Sequence, residues 1–397
     1  MKVLLSAYAC RPHEGSEPAV GWNWARELAR RGYDVHVLTR LDNKPFIEAA
    51  MANEPHPITF VYFDLPRPLS EERLGVYLYY SLWQYGAYRH VMKTYGQRYF
   101  DILHHLTYVS FRFPVFWYRL GGRFILGPVA GGEEGSPNLI ANLPQPYRLL
   151  ERVRRVVNRM NVVNVFINRA YRRAERIFAT TEETYQKIPA KYHGKTAIAP
   201  AVGIDIDDAA TSAKHRDFTL LYAGQLLHWK GVHLAIEAFA KALATHPGLK
   251  FTIIGSGKFR DRLEAQVRAL GLLPHVQFIQ HVPQADLFEH YRKAHLFLFP
   301  SLHDSGGFVV LEAMARGLPV ICLDRGGPPQ LVGMSSRNVV AVSNKPVGQI
   351  TDEIAGLIRL YADDPALLAE ETSRARQRVK DFEWSKVVGN VYSAAAA

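Results

Sequence analysis

The sequence predicts an α/β protein made of two parallel-sheet domains, and three observations carry that expectation. The chain has 397 residues, more than the roughly 250–300 that a single core takes up. Short runs rich in β-branched and aromatic residues alternate with longer amphipathic stretches almost throughout, the pattern of parallel strands joined by helical crossovers. Between two series of such runs lies "PAVGIDIDDAATSAKHRD", rich in small and acidic residues, which reads as a linker around residues 201–216.

In order, the first half offers "KVLLSAYA", "DVHVLT", "ITFVYF", "DILHHL", "RFILGP", "RIFATT" and "KTAIAP". The second offers "FTLLYAG", "KFTIIG", "VQFIQ", "HLFLFP", "PVICLD" and "NVVAV". The first run leads into "RPHEGSEPAVGWNWARELARRGYDV", where Ser16 suits an N-cap, Pro18 the first turn, and Val20, Trp24 and Leu28 repeat every four residues until Gly32. A strand, a glycine-containing loop and a helix entrance together suit an anion, so Gly15 and Ser16 are candidates for binding one. A purely structural turn explains Gly15 equally well. In the linker, Asp205, Asp207 and Asp208 are expected to be turn and cap residues rather than metal ligands.

Composition narrows the function classes. With 48% apolar and 21% charged residues the chain is that of a soluble globular protein. Its two cysteines, Cys10 and Cys322, are far apart, which argues for a reducing compartment, the cytoplasm, and against a disulfide framework. "MKVLLSAYA" is too short for a signal peptide. The uncharged segment 74–88 falls short of the ~20 residues of a spanning helix, so no transmembrane segment is expected.

The net charge of +11 is uneven: residues 1–200 carry 27 Lys+Arg against 17 Asp+Glu, and the remainder 21 against 20. Much of the excess lies in 148–176, where nine arginines face only Glu151 and Glu175. Leu149, Val153, Val156, Val163 and Phe166 recur there near helical spacing, which predicts one or two basic amphipathic helices. Such a segment is either a solvated helical face or a docking surface for an anionic membrane or a phosphorylated acceptor. A nucleic-acid partner is not expected, because no recognised nucleic-acid module accompanies the charge.

The chemistry concentrates in the second half. "LLYAGQLLHWKGVHLAIEAF" is a strand ending near Gly224, a loop holding Lys230, and an amphipathic helix, which places the ammonium where open α/β sheets bind ligands. "FTIIGSGKF" repeats the plan with Gly255, and the edge of "VQFIQHV" offers backbone groups of Gln280, His281 and Val282 to a planar ring. In "AHLFLFPSLHDSGGFVVLEAMARGLPV" a buried strand ends at Pro300-Ser301 and a helix begins near Phe308. Gly306 and Gly307 would then present bare amides at the helix entrance, where the lack of a Cβ allows a phosphate or sugar to approach. Asp304 precedes the glycines and Glu312 follows just over one turn into the helix. Two carboxylates bracketing an anion site repel it unless they bind hydroxyls, so a nucleotide sugar suits the site better than free phosphate.

These residues resemble the GT-B retaining glycosyltransferases grouped as family 4. The spacing of Asp304 to Glu312 followed by "LEAMARGLPV" matches that family's signature, and "DRGGPPQLV", "AGQLLHWKG", "AVGIDID" and "FEWSKV" look like its further segments. The resemblance is strong over roughly 200–390 and weaker before. It implies two Rossmann-like domains facing each other across a cleft: an acceptor domain over 1–204, a nucleotide-sugar domain over 205–380, and a terminal helix, 381–397, returning to the first. It further implies that Lys230 neutralises the donor diphosphate, that Glu312 binds ribose hydroxyls, and that Asp304 with Gly306 and Gly307 positions the transferred sugar. Gly224, Gln225, Ser305, Phe308 and Val309 would complete the donor side. Transfer would proceed with retention, without metal or cofactor, to a saccharide or lipid-linked saccharide acceptor, at the cytoplasmic face of a membrane.

Three positions depart from the family pattern. The first acid is Asp304 in place of the usual Glu, Gln225 replaces the usual Arg, and "ILGPVAGGEEG" has Gly127 near where members commonly carry a His. The acceptor side would then fall to Gly131, Gly132 and Glu133, with His104 and His105 at the end of a strand facing the cleft, or one of them a core histidine. Two other readings stay open: a nucleotide-sugar epimerase on the same fold, and a catalytically weakened binding subunit.

Overall fold

The computed structural model describes residues 1–161, 164–206 and 213–396. Val163 of the basic segment and Asp207 and Asp208 of the linker lie outside the described residues. The chain forms two compact units, one of Met1–Gly132, Val156–Gly203 and Trp384–Ala397, the other of Glu133–Arg155 and Ile204–Glu383.

In the first unit seven parallel strands, β1 (Lys2–Ser6), β2 (Asp34–Thr39), β3 (Ile58–Tyr62), β4 (Ile102–His105), β5 (Arg123–Val129), β6 (Arg176–Ala179) and β7 (Thr196–Ile198), lie in the order β3-β2-β1-β4-β5-β6-β7. β1, buried on both faces, reads as a nearly unbroken apolar run with little alternation, and β4 is equally buried although it carries His104 and His105. One face is packed with aromatic rings: Tyr8 meets Tyr80 and Trp83 edge-on at centroid distances of 4.9 and 5.0 Å. The helix Ser16–Arg30 is capped by Gly15 in an extended conformation, and Ser16 is its first residue, at φ +62° and without a side-chain cap. The expected serine N-cap is therefore displaced by one residue, because glycine takes the flanking position.

The last helix, Trp384–Ala396, belongs to this first unit. Val387, Val388 and Val391 are buried, the Tyr392 hydroxyl meets Nδ1 of His104 at 3.2 Å, and Arg31 donates to the Ser385 carbonyl at 2.5 Å.

The second unit has six parallel strands, β8 (Thr219–Ala223), β9 (Lys250–Ile254), β10 (Val276–Ile279), β11 (Leu296–Phe299), β12 (Val320–Leu323) and β13 (Val339–Val340), in the order β10-β9-β8-β11-β12-β13. Counted within the unit this is the 3-2-1-4-5-6 order, whose direction reverses between β8 and β11.

A division at residues 204/205 leaves the segment 133–155 with the wrong partners. Asn138 donates to the Val342 carbonyl at 2.9 Å, and the Tyr147 ring lies edge-on to Phe259 at 5.1 Å. This stretch includes most of the helix Gln145–Asn161. That helix is amphipathic as expected, yet its apolar residues face outward: Leu149, Leu150, Val153, Val156 and Met160 are all exposed, interspersed with exposed Arg152 and Arg159. Among the described residues no helix is long and apolar enough to cross a membrane.

Candidate functional site

The carboxyl ends of β8 and β11 flank the switch point of the second sheet, and two loops leave the sheet there. After β8 the chain makes a single tight turn, His228–Lys230, before the helix Val232–Leu243. After β11 it runs through Pro300 to the helix Phe308–Ala315. The loops are joined by backbone: the Trp229 carbonyl accepts from the Leu302 amide at 2.7 Å and from the Ser301 hydroxyl at 3.1 Å. Gly231, at φ +70°, passes so close that a Cβ there would stand 1.7 Å from the Pro300 oxygen. Only glycine suits both the left-handed conformation and this approach.

This locking brings Lys230 and Asp304 together. Lys230 Nζ donates to Asp304 Oδ2, and Asp304 Oδ1 accepts from the amides of Gly306 at 3.1 Å and Gly307 at 3.2 Å. The glycine amides are thus not bare, as the sequence suggested: Asp304 reaches two and three residues ahead and satisfies the donors at the helix entrance itself. Burial alone would raise the Asp304 pKa, but the Lys230 charge and hydrogen bond and the two amides outweigh it and hold the carboxyl below its ordinary range. The Asp304 carbonyl accepts from Gly327 at 2.7 Å, and a Cβ on Gly326 would stand 2.1 Å from that oxygen. This close approach accounts for the paired glycines of "DRGGPPQ".

Glu312, 4% exposed, lies on the inner side of its helix. Tyr291 donates to its Oε2 at 3.2 Å and Gln284 to its Oε1 at 3.4 Å. Burial raises its pKa, and the Tyr291 and Gln284 hydrogen bonds and Arg316 only partly offset the rise. The carboxylate is thus held in a costly environment, its hydrogen bonds coming from two neutral donors.

Sequence reasoning missed a third carboxylate. Glu151, 4% exposed on the helix Gln145–Asn161, accepts through Oε1 from Nε2 of His228 at 2.9 Å and from Nε2 of His303 at 3.1 Å. Burial pushes its pKa up, but the bonds from His228 and His303 and the charges of His303 and Arg154 bring it well below the carboxylate range. In sequence Glu151 is one acid among arginines, and only the single histidine beside each of Lys230 and Asp304 hinted at a shared partner.

The remaining donor-side candidates divide. Gly224 and Gly255 end β8 and β9 beside each other, where the Gly224 amide donates to Ile254 and the Gly255 amide to Ile279. Gln225 and His281 are exposed, Gln280 is exposed just past β10, and Val282, Ser305, Phe308 and Val309 are half-buried. Gly15 and Ser16 lie in the first unit, apart in the chain from this group.

On the acceptor side His104 and His105 are corrected by the structure. Both are 1% exposed inside the first unit. His104 Nε2 meets the Gly127 carbonyl at 2.7 Å and His105 Nδ1 the Ser6 hydroxyl at 3.0 Å. Burial lowers their pKa values to about 4 and about 3, so at neutral pH they are uncharged core side chains. Their strand is buried on both faces, which leaves neither ring a route to solvent. The Gly131 carbonyl accepts from Arg112 at 2.6 Å, the Gly132 amide donates to Thr184 at 3.0 Å, and Glu133 is buried in the second unit.

No group of three or more His, Cys, Asp or Glu side chains among the described residues is arranged to hold a metal ion. A depression of about 610 Å³ lined by His215, Lys250 and His275 opens at the amino ends of β8–β10. That is the edge opposite the switch point, where sheets of this order do not bind their ligands.

Residues 204–378 match the family described as Glycosyl transferases group 1. The chain is 34% identical over 180 residues to a glycogen synthase from Mycobacterium tuberculosis, covering 44% of this chain and 42% of the relative. It is 28% identical over 266 residues to a D-inositol 3-phosphate glycosyltransferase from Streptomyces avermitilis, covering 61% and 54%. The alignments thus span about half the length of these curated relatives. Among solved structures, WaaG, a glycosyltransferase involved in lipopolysaccharide biosynthesis, superposes with a TM-score of 0.63 at 19% identity over 99% of this chain and 98% of its own. Anabaena Alr3699/HepE in complex with UDP and glucose gives 0.61 at 17% over 100% and 99%. At such identities the likeness is one of fold, two parallel-sheet α/β units of the GT-B class.

Proposed function

We propose, from the match of residues 204–378 to the group 1 glycosyltransferase family, that the chain transfers a hexose from a nucleotide diphosphate sugar, with UDP favoured, to a saccharide or lipid-linked saccharide acceptor. The observation that carries this reading is the Lys230–Asp304 pair at the switch point, fixed by backbone contacts between two loops. An ammonium has three donors, so Lys230 can keep Asp304 and still meet a diphosphate. Glu312, buried with two neutral donors, supplies a carboxylate for ribose hydroxyls.

In this mechanism the Lys230 ammonium stabilises the charge that develops on the departing diphosphate. The leaving phosphate oxygen takes the acceptor's proton on the face where it departs, so the sugar keeps its anomeric configuration. Positioned charge of this kind removes the need for a bound metal. It is supported by the Lys230 ammonium at the loop end, a positioned donor of the kind worth about 2.7–4 kcal/mol of barrier where it meets developing charge. The outward apolar stripe with its arginines suits an anionic membrane surface, where a lipid-linked acceptor is found.

The test is direct. Purified protein is incubated in EDTA with UDP-, GDP- and ADP-hexoses and a lipid-linked saccharide, and product linkage is read by NMR. Transfer with retained configuration supports the proposal; a new sugar nucleotide formed without acceptor, or inversion, overturns it.

A further inference from the structure

Glu151 accepts from two imidazoles through a single oxygen, and those imidazoles stand at equivalent places in two different loops. His228 is two residues before Lys230 and His303 is one before Asp304. Each loop therefore contributes one buried histidine to Glu151 and one charged side chain to the Lys230–Asp304 pair. The packing around the junction is aromatic. Tyr147, one helical turn before Glu151, lies 4.7 Å from the His228 ring, and Trp229 stacks on His303 at 5.8 Å. The helix that bears Glu151 is anchored in the same unit, since Arg154 donates to the Glu133 carbonyl at 3.1 Å and Arg148 to the Leu143 carbonyl at 3.2 Å.

A carboxylate this deeply buried is retained only when its lone pairs are filled, and here both donors come from the loops of the candidate site. Each histidine that gives its Nε2–H to Glu151 is fixed in ring orientation, and through the one or two intervening residues so is the backbone that carries the lysine or the aspartate. We propose that Glu151 is a positioning residue for glycosyl transfer: by holding His228 and His303 on one oxygen it sets the separation of Lys230 and Asp304. The inference rests on the function proposed above for Lys230 and Asp304. It places a determinant of donor binding outside the motif-bearing stretch, on a helix contributed by the first half of the chain.

The experiment compares full-length wild type, Glu151→Ala, Glu151→Gln, Lys230→Ala and the Glu151→Ala/Lys230→Ala double variant. Amide hydrogen exchange of the ligand-free proteins is measured over 226–231 and 301–307, and calorimetry measures binding of UDP, GDP and ADP. Glu151→Ala is expected to speed exchange in both loops about tenfold or more, whereas Glu151→Gln, which keeps an acceptor oxygen, changes it less than about threefold. Nucleotide affinity falls about tenfold in Glu151→Ala, and the double variant binds no more weakly than Lys230→Ala alone, because the two residues act as a unit. Unchanged exchange in either loop, or losses that multiply in the double variant, overturns the proposal. If no nucleotide binds the wild type, the functional reading fails and the exchange comparison alone decides the role of Glu151. Should Glu151→Ala not fold, Glu151→Asp takes its place: one methylene shorter, it cannot keep both bonds, and the same ordering is required.

Discussion

The Tyr291 hydroxyl donates to Oε2 of Glu312 at 3.2 Å with both side chains buried, yet the carboxyl's pKa stays above its ordinary value. A carboxylate with a raised folded pKa stabilises the fold below its unfolded pKa and loses that contribution as pH rises through the folded value. At neutral pH Glu312 therefore costs stability. Glu312→Gln, which preserves an acceptor for Tyr291, is expected to stabilise the ligand-free protein at pH 7 by roughly 0.5–2 kcal/mol in urea denaturation. The gain shrinks as the pH falls through the raised folded pKa and is gone by about pH 4.5, and the variant binds nucleotide sugar more weakly. A variant that is less stable at pH 7 would show that the carboxylate is kept for the fold.

Glu151 obeys the opposite sign. Its folded pKa is depressed, so its stabilisation is present above the ordinary carboxylate pKa and is lost as pH falls through the folded value. Thermal melts from pH 7 to pH 3 are expected to show wild type above Glu151→Gln at neutral pH, with the gap narrowing as the pH drops below about 4.5. A gap that holds constant across that window would remove the charge of Glu151 from the account.

Lys230→Ala is expected to cut turnover by about 10²-fold or more, the loss seen when one positioned donor to a developing oxyanion is removed. Single-turnover kinetics with saturating donor checks this. Near-normal turnover would take the lysine out of the mechanism.

Gly231→Ala forces a Cβ toward the Pro300 oxygen and a left-handed backbone onto an L-residue. The conformation alone costs about 1–2 kcal/mol, and the two loops must also part. Urea midpoints should fall accordingly, and nucleotide affinity should fall with them, because the Lys230 loop is displaced.

The arginine-flanked stripe on Gln145–Asn161 predicts salt-sensitive sedimentation with phosphatidylglycerol vesicles. Arg152→Glu and Arg159→Glu should each weaken binding at low salt by about 1 kcal/mol or more. Equal failure of wild type to sediment at low and high salt would rule the lipid surface out.

The thirteen strands among the described residues were legible as short β-rich runs, whether fully buried like β8, β11 and β12 or partly exposed like β3, β7 and β10, and their series broke at the linker. Lys230 and Asp304 were legible because glycines and strand ends marked their loops. What the sequence could not reveal was who satisfies whom. Asp304, not a ligand, takes the amides of Gly306 and Gly307, since an acid two residues before a glycine reaches forward to it across a very short stretch of chain. Glu151 lies 77 residues from His228 and 152 from His303, and no local pattern reports a bond across such a separation. His104 and His105 suggested chemistry because they end a strand, but sheet burial on both sides made them core.

The helix Trp384–Ala396 completes the first unit although every residue of the second unit precedes it in translation. While the chain is still emerging from a ribosome, the surface awaiting Val388, Val391 and Tyr392 stays uncovered, and His104 lacks its phenol partner. The first sheet thus receives this cover only after the second unit has been made, and a truncation after Glu383 would be felt at His104 and Arg31, which lose Tyr392 and the Ser385 carbonyl.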